Sequence, residues 1–425
     1  MMQDGKLLKL TGDPAEVFAA FWQEPGAILL ETQKPTLRER YSFIARVPRR
    51  ALILDRASRG SHYLEELQAA THEGFCLGYL GYDLRLLNEE LPDRNAPVLP
   101  LPDAWMGVYD GVLAYDHFSR RWTGRGSVPS PAGRPRAVRG SFRGRLTLCR
   151  SREQYLHAVK RVQAYIAAGD VYQVDLTQPM LLMGRLNPWA LYLRLRAIQP
   201  VPYAAFINLG EGRFVLSGSP ELFLRVRNGM VVTKPMKGTR PRGRSPREDR
   251  ALRRELRESP KDQAENVMIV DLMRHDIGKV AEIGSVAVPR LYAVEGYRTV
   301  YQMISEVTAR LKAGIGITGL LSASFPPGSV TGAPKKRACE IIDELEGYRR
   351  GVYTGAVGIL TPDGELTLNV AIRTLTVAGT RACFGVGGAI LAESDPVEEY
   401  RECLVKAAAL FRAAGIEDRT LSFEV

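Results

Sequence analysis

Paired cysteine spacing is missing from this 425-residue chain. Cys76, Cys149, Cys339, Cys383 and Cys403 are scattered, which argues against a disulfide framework or a cysteine-based zinc site. No apolar run approaches the roughly 18 residues of a membrane span, and the N-terminal MMQDGKLLKL has no secretory core. A cytoplasmic chain with reduced thiols and no membrane contact is expected. Helix-turn-helix, RNA-binding and zinc-finger patterns are also lacking, so the net charge of +11 comes with no nucleic-acid motif. The arginine excess gathers at 34–50, 120–152 and 234–257, as solvated loops or as an attraction for anionic partners. A non-catalytic basic binding protein is the corresponding reading from outside enzymology. No tandem repeat is present.

What is present is a long chain, 45% hydrophobic, able to bury a large core. Residues 1–117 mix strand-like runs at 27–31, 51–54 and 75–80 with an amphipathic helical stretch at 15–23. The segment 118–149 is rich in Arg, Gly, Pro and Ser with little apolar periodicity, and reads as a mobile connection. Beyond it, 151–168 has helical spacing through Tyr155, Val159, Val162 and Ile166, and short strands then alternate with longer helices through a region spanning 150–412.

The octapeptide Met236-Lys237-Gly238-Thr239-Arg240-Pro241-Arg242-Gly243 sets a lysine beside a Gly-Thr turn at the end of an apolar strand. Strand alternation gives Lys237 the face of Pro235 and Thr233 and turns Lys234 the other way. Gly238 permits close approach of a ligand, and Pro235 marks a sheet edge or bulge. A solvated lysine at a strand end accounts for the octapeptide alone equally well.

Further strings follow in order: Asp170-Val171-Tyr172-Gln173-Val174-Asp175-Leu176-Thr177-Gln178, Ser219-Pro220-Glu221, Glu265-Asn266-Val267-Met268-Ile269-Val270-Asp271-Leu272, Pro327-Gly328-Ser329-Val330-Thr331-Gly332-Ala333-Pro334-Lys335, and Gly387-Gly388-Ala389-Ile390 before Ser394-Asp395-Pro396. Together they resemble the chorismate-utilising enzymes, the family of anthranilate, aminodeoxychorismate, isochorismate and salicylate synthases. The resemblance covers about 150–412, with weaker matches toward the N-terminus. It implies an α/β (α+β) body in which two antiparallel sheets stack with helices outside. It also implies a chorismate dianion as substrate and Mg²⁺ as cofactor.

Asp262 and Glu265 share one helix face; Glu399 and Glu402 share another, with Lys406 one turn further. By resemblance Glu265 and Glu399 are the metal ligands, with Asp262 and Glu402 as water-mediated partners. Arg373 would take the enolpyruvyl carboxylate through its planar fork, Tyr353 would add a hydroxyl, and Gly238, Thr239, Gly387, Gly388 and Lys406 would complete substrate binding. Glu221 matches the general acid that protonates the departing C4 hydroxyl, with burial raising its pKa. Solvated helix and strand ends are the alternative for each of these groups taken singly.

Which nucleophile adds at C2 divides the family. Members making salicylate or isochorismate carry lysine where this chain has Gln173; members making anthranilate carry alanine where it has Lys237. Lysine at the latter position implies covalent attack on C2 by a deprotonated amine. Ammonia then adds at C4 to give 4-amino-4-deoxychorismate, the precursor of p-aminobenzoate and folate. Anthranilate synthesis remains the alternative, since one residue carries most of the distinction. Gly74-Phe75-Cys76-Leu77-Gly78-Tyr79 lacks the downstream histidines of a glutaminase, so ammonia is expected from a separate glutamine amidotransferase subunit. Thr32 stands where an effector-binding serine is usual, Gln302 where a histidine is, and His275 where asparagine is commoner and a structural role is expected.

Overall fold

Strands from both ends of the chain interleave in two antiparallel sheets. A computed structural model describes residues 5–57, 62–128, 140, 142–298 and 300–416. Among these residues one sheet has twelve strands and the other ten. In the first, Ile28–Glu31 pairs with Tyr203–Gly210, so residues far apart in sequence lie side by side. In the second, Phe75–Leu80 pairs with Ala356–Leu360.

Two-fold alternation places one face of each sheet against the other. Ile28, Ile207 and Val215 from one sheet and Leu77, Tyr79, Trp105 and Val357 from the other form the buried layer between them. The outer faces are covered by helices. Arg152–Ala167, Pro188–Ile198, Lys335–Glu346 and Pro396–Ala414 pack on the first sheet. Tyr63–Glu73, Pro260–Gly278 and Ile317–Ser324 pack on the second. The sandwich with external helices is therefore the architecture, as the resemblance implies.

Helix starts follow local chemistry. Ser151 caps Arg152–Ala167 in a reciprocal box: Gln154 N–H donates to Ser151 Oγ at 3.2 Å and Ser151 N–H to Gln154 Oε1 at 2.9 Å. Asp395 caps Pro396–Ala414 by accepting from the Val397 and Glu398 amides. The expected helix at 15–23 is shorter, Pro14–Phe18.

The connection at 118–149 is not all coil. Arg121–Gly126 pairs with Gly111–Asp116, and Arg143–Leu148 pairs with Gln173–Arg185. Arg121–Gly126 is also paired on its other side by Lys6–Leu8 and buries Trp122, while Arg143–Leu148 is paired on one side only; interspersed arginines and glycines hide both from a periodicity search. Residues 129–139 and 141 of that segment lie outside the described residues. Among the described residues no helix is long and apolar enough to cross a membrane.

Candidate active site

A cavity of about 1100 Å³ lies among the strands Met236–Pro241 and Arg381–Ile390 and the helices Pro260–Gly278 and Pro396–Ala414. It is lined by Glu221, Lys237, Gly238, Thr239, Asp262, Glu265, Tyr353, Arg373, Gly387, Glu399, Glu402 and Lys406. Of the site residues expected from the sequence, only Gly388 is outside this lining. A Cβ there would stand 3.3 Å from Lys406 Nζ and 3.4 Å from Glu399 Oε2, so its lack of a side chain makes room for those two groups.

The strand run expected through Lys237 is two strands, Met230–Lys234 and Met236–Pro241, broken at Pro235. A bulge follows between Lys237 and Thr239. Gly238 occupies it with φ 78°, and a Cβ there would come within 2.6 Å of Asp262 Oδ1. Lys237 thus points into the cavity. Lys234 lines a separate cavity of about 320 Å³, where its ammonium meets Glu39 at 3.0 Å.

Lys237 Nζ lies 2.9 Å from Glu265 Oε1. Burial opposes its charge, but Glu265 and then Asp175 overcome that, and its pKa is raised. The resemblance implies a deprotonated amine here, promoted by desolvation and a nearby cation. The structure differs because a carboxylate is already paired with it.

Glu221 is 3% exposed, and desolvation holds its carboxyl up at about 7, against opposing hydrogen bonds from the Ser329 hydroxyl and the Met236 amide. Its backbone is fixed on both sides: its N–H donates to Ser219 Oγ at 3.2 Å and its carbonyl accepts from Val370 N–H at 3.0 Å. A carboxyl held near 7 is poised to donate a proton at neutral pH.

Arg373 has the left-handed φ of 51°, uncommon in a non-glycine residue, with its carbonyl tied to the Gly218 amide at 3.0 Å. Its Nη1 is buried without a partner, and desolvation lowers its pKa to about 10. An orphaned guanidinium in a cavity is a ready receptor for a carboxylate. Gln302, 8% exposed and in register with Thr239, likewise brings an unpartnered Oε1 to the lining.

The acidic groups have distinct partners. Asp262 is bound by Arg240 at 3.0 Å and Glu402 by Lys406 at 2.8 Å. Glu399 accepts from Ser394 Oγ at 2.6 Å; burial raises its pKa and neighbouring Glu402 adds to that. Lys406 also donates to the Gly387 carbonyl at 2.9 Å, so it clamps the strand rather than standing free for substrate. No group of three or more His, Cys, Asp or Glu side chains converges on one point among the described residues. Mg²⁺ is often held by one or two carboxylates plus waters and substrate, and Glu265 and Glu399, hard oxygen donors on the same cavity, fit it in kind.

Sequence reasoning missed Asp175, Ser329 and the Arg350 cluster. Arg350 pairs with Glu346 at 2.6 Å and donates to the carbonyls of Asp175 at 2.6 Å and Val330 at 2.7 Å, tying the cavity floor to the helix Lys335–Glu346. An i, i+4 Glu-Arg pair was visible in the sequence, but its burial was not.

Residues 17–412 match the family model described as chorismate binding enzyme. The chain belongs to that family. It is 43% identical over 342 residues to the aminodeoxychorismate synthase component 1 of Klebsiella aerogenes, covering 78% of this chain and 75% of that protein. It is also 43% identical over 361 residues to the aminodeoxychorismate synthase of Streptomyces griseus, covering 79% of this chain but only 49% of that longer protein. Anthranilate synthase component I from Streptococcus pneumoniae superposes with a TM-score of 0.78 at 28% identity, covering 88% of this chain and 93% of that one.

Proposed function

We propose that this chain is the chorismate-aminating component of an aminodeoxychorismate synthase. It forms 4-amino-4-deoxychorismate for p-aminobenzoate and folate synthesis in the cytoplasm. The observation that carries this reading is Lys237 in one cavity with Glu221 and an unpartnered Arg373. Arg373 takes the enolpyruvyl carboxylate with a two-pronged donor set, aided by the Tyr353 hydroxyl. Glu221 gives its proton to the departing C4 hydroxyl, and the Lys237 amine bonds to C2 as the ring double bonds shift. Ammonia then bonds to C4, the double bonds shift back, and the C2–N bond breaks to release Lys237.

Glu265 and Glu399 are the residues that would hold Mg²⁺, which when bound supplies positive charge for the ring carboxylate. With Glu265 so engaged, Lys237 loses the partner that keeps it protonated. Incubation with chorismate, Mg²⁺ and an ammonium salt should yield a product of the 4-amino mass that a lyase converts to p-aminobenzoate. Anthranilate as the product would overturn the reading.

Two outcomes follow from the same site. Glu265→Gln and Glu399→Gln should each abolish turnover while keeping the circular dichroism of the parent, and chelator should do the same to the parent. Equal rates in chelator and in Mg²⁺ would refute the metal assignment. The purified chain should also use ammonium but not glutamine, gaining glutamine use only with an amidotransferase subunit. Cys76, the one cysteine in an elbow-like string, is fully buried with its thiol pushed up to about 12, unsuited to nucleophilic attack. Ammonia release from glutamine by this chain alone would contradict the two-component reading.

A further inference from the structure

Asp175 has no part in the chemistry described so far, yet it faces the same cavity. It is 7% exposed, and its carboxylate makes no hydrogen bond or ion pair among the described residues. Lys237, Arg350 and Lys406, the cations whose charge acts on it, are engaged by Glu265, by Glu346, and by Glu402 with the Gly387 carbonyl. Its backbone is fixed by the Thr331 carbonyl, which accepts from the Asp175 amide at 2.7 Å, and by Arg350 on its own carbonyl. The side chain is therefore held at the cavity wall, largely desolvated and without a protein partner, where it can receive a donor or a cation.

The occupant must be a donor or a cation. A free carboxylate in a cavity for a dianion repels the carboxylates of that substrate, which Arg373 draws to itself. Of the two small cations this chemistry uses, Mg²⁺ has Glu265 and Glu399, and ammonium is the one left for Asp175. Lys237 and Glu221, the groups acting at C2 and C4, line the same cavity as Asp175, and both feel its charge.

Resting on the proposed amination, we infer that Asp175 is the ammonium-binding residue and catalytic base of the second half-reaction. Ammonium lodges against the carboxylate and gives it one proton, leaving neutral ammonia and a carboxylic acid. The ammonia lone pair bonds to C4, the ring double bonds shift back, and the electron pair of the C2–N bond returns to Lys237 as a free amine. The positive charge of the lysine adduct reappears on the C4 ammonium, and the Asp175 proton goes to water as product leaves. The titratable groups facing Asp175 are Lys237, Lys406, Arg350, Glu346, Glu221, Tyr353 and Tyr155.

The test compares wild type with Asp175→Asn, which keeps the shape, and Asp175→Ala, each checked for an unchanged melting profile. Ammonium chloride is titrated at saturating chorismate and Mg²⁺. The Lys237 adduct formed without ammonium is timed by intact mass. Hydroxylamine, which is unprotonated at neutral pH, serves as a second nucleophile. Expected for Asp175→Asn are a fall of about 10²-fold in kcat/KM for ammonium, a chorismate KM and adduct rate within about threefold of wild type, and a much smaller loss with hydroxylamine. Unchanged ammonium kinetics overturn the inference. So does an equal loss of adduct formation, or an equal loss with hydroxylamine, since either would make Asp175 a structural or substrate-positioning group. If both variants misfold, the carboxylate is structural and the inference also fails. A wild-type protein that makes no 4-amino product removes the amination reading itself; one that aminates while Asp175→Asn responds normally removes only this inference.

Discussion

Lys237→Ala slows formation of 4-amino-4-deoxychorismate by roughly 10²-fold or more, the scale of losing a positioned catalytic group. The expectation rests on geometry: the Gly238 bulge aims Lys237 into the cavity, 2.9 Å from Glu265. Removing it also leaves Glu265 without its cation, so KM for Mg²⁺ should fall if that carboxylate binds metal. Lys234→Met is the control. Lys234 meets Glu39 in the neighbouring cavity, so its loss should lower thermal stability and leave turnover within a few-fold. Wild type given chorismate and Mg²⁺ without ammonium should carry a covalent adduct on the peptide containing Lys237. Full amination by Lys237→Ala would reject the nucleophile and make that residue an electrostatic contact.

Glu221→Gln is expected to move activity and stability in opposite directions. Turnover should fall by roughly 10²-fold, because an amide has no proton to give the leaving hydroxyl. Stability should rise above neutrality. The carboxyl titrates at about 7 in the folded protein and at an ordinary 4.5 when free, so the native state binds the proton more tightly. Its contribution is complete below pH 4.5, declines as pH rises toward 7, and is gone above that. The decline amounts to something on the order of 3 kcal/mol, which a permanently neutral glutamine would not suffer. Thermal midpoints of parent and variant should therefore nearly coincide at pH 4.5 and separate in favour of the variant at pH 8. A variant less stable than the parent at pH 8 would show that Glu221 is not held in the desolvated state described. Such an exchange is expected where a strained or buried charge serves chemistry.

Much of the local structure was legible in the sequence because local rules write it. The helical spacing over 151–168, the strand Phe75–Leu80 and the glycine beside Lys237 all act within a few residues. The chemistry of Glu221, Arg373 and the paired acidic faces was legible through family strings, and the structure brings those residues to one cavity. Partners across the fold were not. Lys406 clamps the Gly387 carbonyl because two distant elements meet, and no spacing along the chain encodes that meeting. Asp175 sat in a recognised string, but its unpaired state emerges only when every neighbouring cation is seen to be engaged elsewhere. The strands bordering the arginine-rich connection escaped detection because their arginines and glycines break the alternation, while their pairing partners lie elsewhere in the fold.

The interleaving of the sheets bears on how this chain can be divided. A cut within 118–149 would leave Tyr203–Gly210 without its neighbour Ile28–Glu31, and Ala356–Leu360 without Phe75–Leu80. Each would become a raw apolar margin inviting a foreign strand. The pieces on either side of that connection therefore cannot be expressed, exchanged or inherited as independent modules: the two sheets that carry the cavity with Lys237 are completed by strands from residues before it.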